Sequence, residues 1–151
     1  MPIPVKTQQE AMTISWIGGV RLAVEARKHR LVVDQPLEEG GQDEGITPVE
    51  MFVASLGTCI AYYAVRFCQR HKIPTAGLKV AMEWTYAEQP HRIGTMTAHV
   101  VLPGKWEPAM KDRLLKVLEG CTVHQSITIA PRIAIALSTP KAVNADLSTS
   151  S

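Results

Sequence analysis

One segment of the chain, residues 47–72, constrains the fold more than any other. Its sequence is TPVEMFVASLGTCIAYYAVRFCQRHK, and the fifteen residues 51–65 carry no charge. At helical spacing the apolar residues cover every side, which is typical of a buried helix. The uncharged stretch includes Ser55, Gly57 and Thr58 and is too short and too polar to predict a membrane span. The segment therefore predicts a long, buried central helix.

Start and stop signals bound this helix. Thr47, Pro48 and Glu50 match a capping box, with the threonine capping the first turn and the glutamate three residues later. Pro74 ends the helix at the other side. Four basic residues gather just before that proline, where they interact favourably with the helix dipole; they are Arg66, Arg70, His71 and Lys72.

Length and composition indicate one domain without a nucleic-acid partner. A chain of 151 residues can bury a substantial core, and its net charge of +2 includes no long basic block. The opening MPIPVKTQQE lacks the apolar run of a signal peptide. In a chain that is not secreted, three cysteines without a Cys-x-x-Cys pair favour reduced thiols. We therefore expect a cytoplasmic location, and we expect no membrane partner. Five histidines show no metal-ligand spacing, so we expect no metal and no cofactor.

Short β-strands are predicted on both sides of the central helix. Alternating apolar residues predict strands in AMTISWI, VRLAVEA and HRLVVDQP, with Gly18 and Gly19 in the first hairpin turn. The acidic stretch LEEGGQDEGI is typical of a mobile crossover. After the helix, LKVAMEWTY and RIGTMTAHVVLP predict a second hairpin.

The last part of the chain predicts a second helix and a final strand. The helix opens at Glu107 and Pro108 and ends at Gly120, and residues 133–137 form the strand. The polar tail, residues 142–151, is expected to be flexible. The order β-β-β-α-β-β-α-β predicts an α+β fold on largely antiparallel sheet. We expect one domain over residues 1–151, with an ordered core at about 11–138.

The predicted burial of the central helix bears on quaternary structure. Two helices on one sheet leave the outer face of the central helix bare. Exposed apolar surface of that extent marks an interface, and two-fold dimers are the commonest arrangement. The sequence therefore predicts a homodimer with the central helix inside it.

The string TPVEMFVASLGTC, followed much later by Cys121 after an amphipathic helix, resembles the OsmC/Ohr family. These are the osmotically inducible and organic hydroperoxide resistance proteins. The order of elements is similar from about residue 11 to 138, and the loop GGQDEGITPVE is closer to the OsmC-like branch. The resemblance implies an intertwined dimer with long central helices packed on antiparallel sheet.

The resemblance also implies a chemistry. It makes Cys59 the thiol that attacks an organic hydroperoxide and Cys121 the thiol that resolves the sulfenic acid as a disulfide. The family stabilises the thiolate with an arginine held by a glutamate, for which Arg27, Arg30 and Glu50 are the candidates here. An external dithiol then reduces the disulfide. Apolar walls around the site favour fatty-acid-like substrates.

Three features depart from the family pattern. Val49 stands where typical Ohr proteins have the glutamate, and Thr122 stands where the resolving cysteine is usually followed by proline. Glu50, nine residues before Cys59, falls on the opposite side of the helix, so it also fits a purely structural capping role. Arginines of the early strands, Arg21 included, also fit a solvated strand face.

Cys68 and His124 each lie a short distance along the chain from one of the two cysteines. Cys68 lies nine residues after Cys59, faces away from it and is expected to be a bystander. His124 lies three residues after Cys121 and is either a surface histidine or a group that lowers the pKa of that thiol. The alternative to a peroxidase is a stress-associated or small-molecule-binding dimer on the same scaffold, with cysteines that do not turn over.

Overall fold

The computed structural model describes residues 10–140, and over that range the chain forms two antiparallel sheets and three α-helices. The sheets have the strand orders β1-β2-β3 and β4-β5. This confirms the α+β class. The bounds are β1 Thr13–Trp16, β2 Leu22–Ala26, β3 His29–Val33, α1 Pro48–Arg70, β4 Lys79–Ala87, β5 Arg92–Val101, α2 Pro108–Glu119 and α3 Thr122–Thr128, with a 3-10 turn at Leu37–Glu39.

The predicted capping box starts α1. The backbone N–H of Glu50 donates to the Thr47 hydroxyl at 3.1 Å, and the N–H of Thr47 donates to the Glu50 carboxylate at 3.3 Å. The two bonds satisfy donors that the first helical turn leaves unpaired. The sequence signal at this helix start is therefore confirmed at both of its residues.

One side of α1 is buried and the opposite side is exposed in a single chain. Phe52 and Tyr62 are 42% and 55% exposed, so the prediction of burial on all sides is wrong for one copy of the chain. Among the described residues, α1 is also the one helix long and apolar enough to span a bilayer by length and composition, a property it shares with core helices. The buried residues of α1 are Val53, Leu56, Gly57, Ile60, Ala64, Phe67 and Cys68.

The core lies where α1 meets α2 and the β4–β5 hairpin. The buried face of α1 packs against Leu114 and Leu118 of α2, and Cys121 closes the cluster. On the sheet side, Gly57 lets α1 approach β4 closely, because a Cβ at this position would lie 2.8 Å from Cγ of Met82. This packing fixes the end of α2 and the residue that follows it.

The N-terminal sheet is a pair of hairpins. Trp16 pairs with Leu22 across the first turn, where Gly18 and Gly19 both have positive φ, as the sequence predicts. One buried carboxylate, that of Asp34, fastens the loop after β3. It accepts hydrogen bonds from the backbone N–H groups of residues 35, 42 and 44. The segment expected to be a mobile crossover is therefore held by backbone hydrogen bonds.

The C-terminal part differs from the prediction in two ways. Residues 122–128 form a third helix, α3, so the order is β-β-β-α-β-β-α-α. The strand predicted at residues 133–137 is wrong for a single chain, where Ile133, Ile135 and Leu137 are 79%, 88% and 96% exposed. A strand needs a hydrogen-bonded neighbour, and none of the described strands pairs with this segment. The expected flexible tail, residues 142–151, lies outside the described residues.

Candidate active site

The fold brings two of the predicted site residues together. Cys59 lies in the middle of α1, and Cys121 occupies the N-cap of α3, directly after α2. The Cys59 thiol is close enough to raise the pKa of the Cys121 thiol, and both thiols are free. Both belong to the cluster in which α1 packs against α2 and α3. The pair therefore lies within one copy of the chain, at the junction of three helices.

The two thiols differ in their access to solvent. Cys121 is fully buried, whereas Cys59 is partly exposed. A thiol must be reached before it can react, and buried cysteines are generally inert. Cys59 is thus the member of the pair that a reagent from solution meets first, and Cys121 lies behind it.

Cys121 is held in its protonated form. Burial is the main cause that raises the pKa of Cys121, and the neighbouring Cys59 raises it further. Backbone N–H groups of Val123 and His124 act in the opposite direction, the second through a 3.4 Å hydrogen bond to the sulfur. The net direction is upward, so removal of this proton is disfavoured while the thiol stays buried.

His124 contacts Cys121 through its backbone and not through its ring. The imidazole Nδ1 donates to the carbonyl oxygen of Glu119, which also accepts from the side chain of Gln125 at 2.9 Å. These bonds cap the C-terminal end of α2. The hypothesis that His124 lowers the pKa of Cys121 therefore finds support only for its backbone N–H.

The third cysteine lies apart from the pair. Cys68 is fully buried in the last turns of α1, and burial raises the pKa of its thiol. Nine residues of helix separate it from Cys59, a distance of about 13 Å along the axis. Direct bridging is excluded, because Cα atoms in a disulfide are at most about 7 Å apart.

The other predicted site residues make contacts elsewhere. Glu50 is engaged in the capping box, and Arg27 occupies the β2–β3 turn with a φ of 54°. Arg30 lies 3.9 Å from Glu25, and both side chains are more than half exposed. The electrostatic neighbours that shift Cys121 include no cation among the described residues. In one copy, the structure thus joins the two cysteines but shows no contact between them and these three residues.

Arg21, for which the sequence also fits a solvated strand face, forms an ion pair in the structure. Its guanidinium lies 2.8 Å from the carboxylate of Glu44, and this hydrogen bond is the main reason that the pKa of Arg21 is raised. Burial would raise the pKa of the adjacent Asp34, but its backbone donors, helped by Arg21, bring the net direction downward. The Nε of Arg21 is buried and has no acceptor among the described residues. A sequence signal existed in the acidic loop, but the pairing spans 23 residues.

Neither a metal site nor the apolar cavity beside α1 involves the cysteine pair in the described part of the chain. In residues 10–140, no three His, Cys, Asp or Glu side chains converge as a metal site requires. An apolar cavity of about 400 Å³ lies between α1 and β4 and is lined by residues such as Val53, Ala61 and Trp84. Cys59 is not among the residues that line it. The cavity and the cysteine pair are therefore separate features.

Comparison with known families decides the assignment of the chain. The profile of the OsmC-like protein family matches residues 41–136, which include α1 and both cysteines of the pair. The chain belongs to the OsmC-like family. A search of curated proteins gives no match.

Solved structures show that this OsmC-like chain has relatives with the same fold. A Psychrobacter arcticus protein with a proposed role in osmotic stress and detoxification is 15% identical, with a TM-score of 0.72, covering 81% of this chain and 90% of that one. The OsmC-like protein of Mycoplasma pneumoniae is 13% identical, with a TM-score of 0.67 and coverages of 82% and 89%. An organic hydroperoxide resistance protein OsmC from Legionella pneumophila is 19% identical, with a TM-score of 0.60 and coverages of 80% and 91%.

Proposed function

We propose that this OsmC-like protein reduces organic hydroperoxides through a disulfide between Cys59 and Cys121. The observation that carries the proposal is a partly exposed thiol packed against the cluster that holds a buried one, inside the segment that matches the family. The Legionella relative, described as an organic hydroperoxide resistance protein, supports a stress-related redox role of this kind.

The proposed reaction has three balanced steps. The Cys59 thiolate attacks one peroxide oxygen of ROOH, the O–O bond breaks, and the alkoxide takes up a proton and leaves as ROH. Cys59 is then a sulfenic acid, whose sulfur is attacked by the Cys121 sulfur: the S–S bond forms, the S–O bond breaks, and the Cys121 proton leaves with the hydroxide as water. An external dithiol finally reduces the disulfide by exchange and becomes a disulfide itself. The buried, protonated state of Cys121 keeps it from reacting before the sulfenic acid forms.

The surface beside Cys59 fits an apolar hydroperoxide. Phe52 precedes Cys59 by seven residues and Tyr62 follows it by three, so both residues lie on the same face of α1 as Cys59. Both aromatic side chains are substantially exposed. We propose that they contact the hydrocarbon part of the substrate, as fatty-acid-like hydroperoxides would require.

We further propose that the working unit is a homodimer. Exposed apolar residues occur on α1, on β1 and at alternate positions of residues 133–137, which is more apolar surface than an isolated chain normally exposes. The alternation suits a strand that pairs with a second copy. Sedimentation showing a folded monomer at micromolar concentration would contradict this.

Arg21 is the arginine we propose for the thiolate. A carboxylate, that of Glu44, already orients it, and its Nε still has a hydrogen bond to donate. The N-terminal sheet is not among the elements that pack extensively on α1 within one chain. We therefore propose that Arg21 reaches the Cys59 thiolate of the partner copy.

The cysteine chemistry is tested by mapping disulfides. The protein is treated with one equivalent of cumene hydroperoxide, alkylated and digested without reductant. We expect a Cys59–Cys121 link that disappears in Cys59→Ser and persists in the control Cys68→Ser. If both thiols stay alkylatable while the hydroperoxide persists, the peroxidase proposal fails and the alternative of a binding dimer takes its place.

The origin of the arginine is tested by mixing variants. Arg21→Met should lose peroxidase activity, whereas Arg30→Met, which removes an exposed and weakly paired arginine, should keep it. A heterodimer of Arg21→Met with Cys59→Ser contains one intact site only if the arginine comes from the partner. Recovery of activity on mixing is the expected result, and no recovery would place the arginine in the same chain or elsewhere.

Two circumstances of the reaction follow from the thiols. All three cysteines are free, which fits a reducing compartment, and we propose the cytoplasm. The external dithiol must reach the disulfide at the partly exposed Cys59 side. Replacing a dithiol by a monothiol reductant should slow turnover, since a dithiol releases the mixed disulfide by an intramolecular step.

A further inference from the structure

A hydrogen bond beside the cysteine pair links the same two helices as the pair does. The hydroxyl oxygens of Tyr63 and Thr122 lie 3.2 Å apart. Tyr63 follows Cys59 by about one turn of α1, and Thr122 directly follows Cys121 at the start of α3. This hydrogen bond and a disulfide of the pair would therefore be adjacent, parallel connections between α1 and α3.

We infer that Tyr63 and Thr122 are positioning residues that hold Cys121 against Cys59. The inference rests on the proposed function in one respect, namely that these two cysteines form the working disulfide. Holding one reacting group against another raises its effective concentration. The hydrogen bond would thus favour the disulfide over the two separate thiols.

The short length of α3 explains why such a contact matters. A helix of seven residues has little stability of its own, so its position depends on tertiary contacts. His124 and Gln125 tie it to the end of α2 and not to α1. Among the described residues, the bond between Tyr63 and Thr122 is the one side-chain hydrogen bond from α1 to α3 besides the thiol contact. Together with the packing of Val123 and Ile127 on the core, it therefore sets the distance that disulfide formation must close.

The departure from the family pattern at Thr122 has a physical consequence here. Proline, the residue usual at this position in the family, has no hydroxyl and no backbone N–H. Threonine supplies a hydroxyl that reaches the neighbouring helix. At this position the chain thus has a side-chain hydrogen bond in place of the fixed backbone of a proline. This bond can be removed by substitution without altering either cysteine.

The test measures the thiol–disulfide equilibrium of the pair in glutathione buffers. Reduced protein and oxidised glutathione exchange to give protein disulfide and two molecules of reduced glutathione, and peptide mapping after acid quench gives the oxidised fraction. The variants are Tyr63→Phe and Thr122→Val, each of which loses one hydroxyl. Tyr86→Phe is the matched control, since the Tyr86 hydroxyl on β4 has no hydrogen bond among the described residues. Thr122→Ser keeps the hydroxyl.

We expect each hydroxyl deletion to lower the equilibrium constant for disulfide formation about 3-fold, the change that loss of one water-accessible hydrogen bond produces. This corresponds to about 14 mV in reduction potential. Tyr86→Phe and Thr122→Ser should match the wild type. The double variant of Tyr63 and Thr122 should be no weaker than either single one, because both changes remove the same bond.

Three results would overturn the inference. They are equilibrium constants unchanged in Tyr63→Phe and Thr122→Val, an equal loss in Tyr86→Phe, or absence of the disulfide in every glutathione buffer. Thermal unfolding of each reduced variant shows whether it is folded, and Thr122→Ser separates loss of the hydroxyl from general damage. Because glutathione and not peroxide oxidises the pair, a protein that fails to reduce peroxide still gives a decisive answer here.

Discussion

Two adjacent leucines of α2 provide a matched test of the core that positions Cys121. Leu114 is 2% exposed and packs against the buried face of α1, whereas Leu115 is 56% exposed. Replacing either by alanine removes the same atoms from the same helix with the same change in helix propensity. The difference between the two variants therefore isolates the contribution of burial.

The magnitude follows from the burial of each side chain. Truncating a fully buried leucine costs about 2–5 kcal/mol, because the lost transfer free energy adds to that of the cavity left behind. Complete burial of a leucine contributes about 1.5–3 kcal/mol, so the partly buried Leu115 contributes about 1 kcal/mol and leaves no closed cavity. We expect Leu114→Ala to be less stable than Leu115→Ala by about 1–4 kcal/mol.

Urea unfolding at one fixed protein concentration measures this difference. The free energies of unfolding are compared at equal m-values, with far-UV circular dichroism as the signal. The backbone N–H of Cys121 donates to the carbonyl of Leu118 at 3.1 Å, so loosening α2 should also expose the resolving thiol to alkylation. A difference below about 1 kcal/mol would show that α2 does not pack on α1 as described.

Three further predictions concern the thiols and the contact between α1 and β4. Burial is the main cause that raises the pKa of Cys121, and Cys59 raises it further, so Cys59→Ala should lower this pKa by removing the second contribution. The pH dependence of alkylation at the Cys121 peptide measures the pKa, and an unchanged value contradicts the prediction. Burial raises the pKa of Cys68 and of Cys121, so the folded chain holds these protons more tightly than the unfolded chain. The resulting stability is present below the unfolded thiol pKa of about 8.5 and is lost as the pH rises through the folded values, so urea unfolding from pH 7 to 10 should show a falling free energy and not a flat profile. Gly57→Val should lower the free energy of unfolding by about 1–3 kcal/mol, since its Cβ would lie 2.8 Å from Cγ of Met82. Adding Met82→Ala to the same chain should recover part of that free energy, and strictly additive losses of the two changes would argue against the close contact.

The parts of the fold that the sequence predicts are those with local signals. The start of α1 is written in residues 47–50, and the structure forms both hydrogen bonds of that capping box. The hairpins follow from alternation and from glycines at the first turn. The proximity of Cys59 and Cys121 was available from the family resemblance, because no local pattern relates residues so far apart in the chain.

The parts that the sequence did not predict depend on contacts between distant segments. Alternating apolar residues at 133–137 indicate a strand, but a strand forms only beside a partner strand, and none of the strands within residues 10–140 pairs with it. The ion pair formed by Arg21 could not be predicted for a related reason. Its pairing with Glu44 depends on the loop that Asp34 fastens, and no spacing rule reports that loop's conformation.

The two departures from the family pattern have different weight once the contacts are known. Val49 removes a carboxylate from the start of α1, yet Glu44, five residues earlier, holds an arginine at 2.8 Å. An arginine oriented by a glutamate is thus present at another position. Thr122 stands where the resemblance implies a proline, yet its hydroxyl bonds to Tyr63 beside the cysteine pair. Neither departure therefore favours the binding dimer over the peroxidase, and the decision between them rests on whether peroxide joins Cys59 to Cys121.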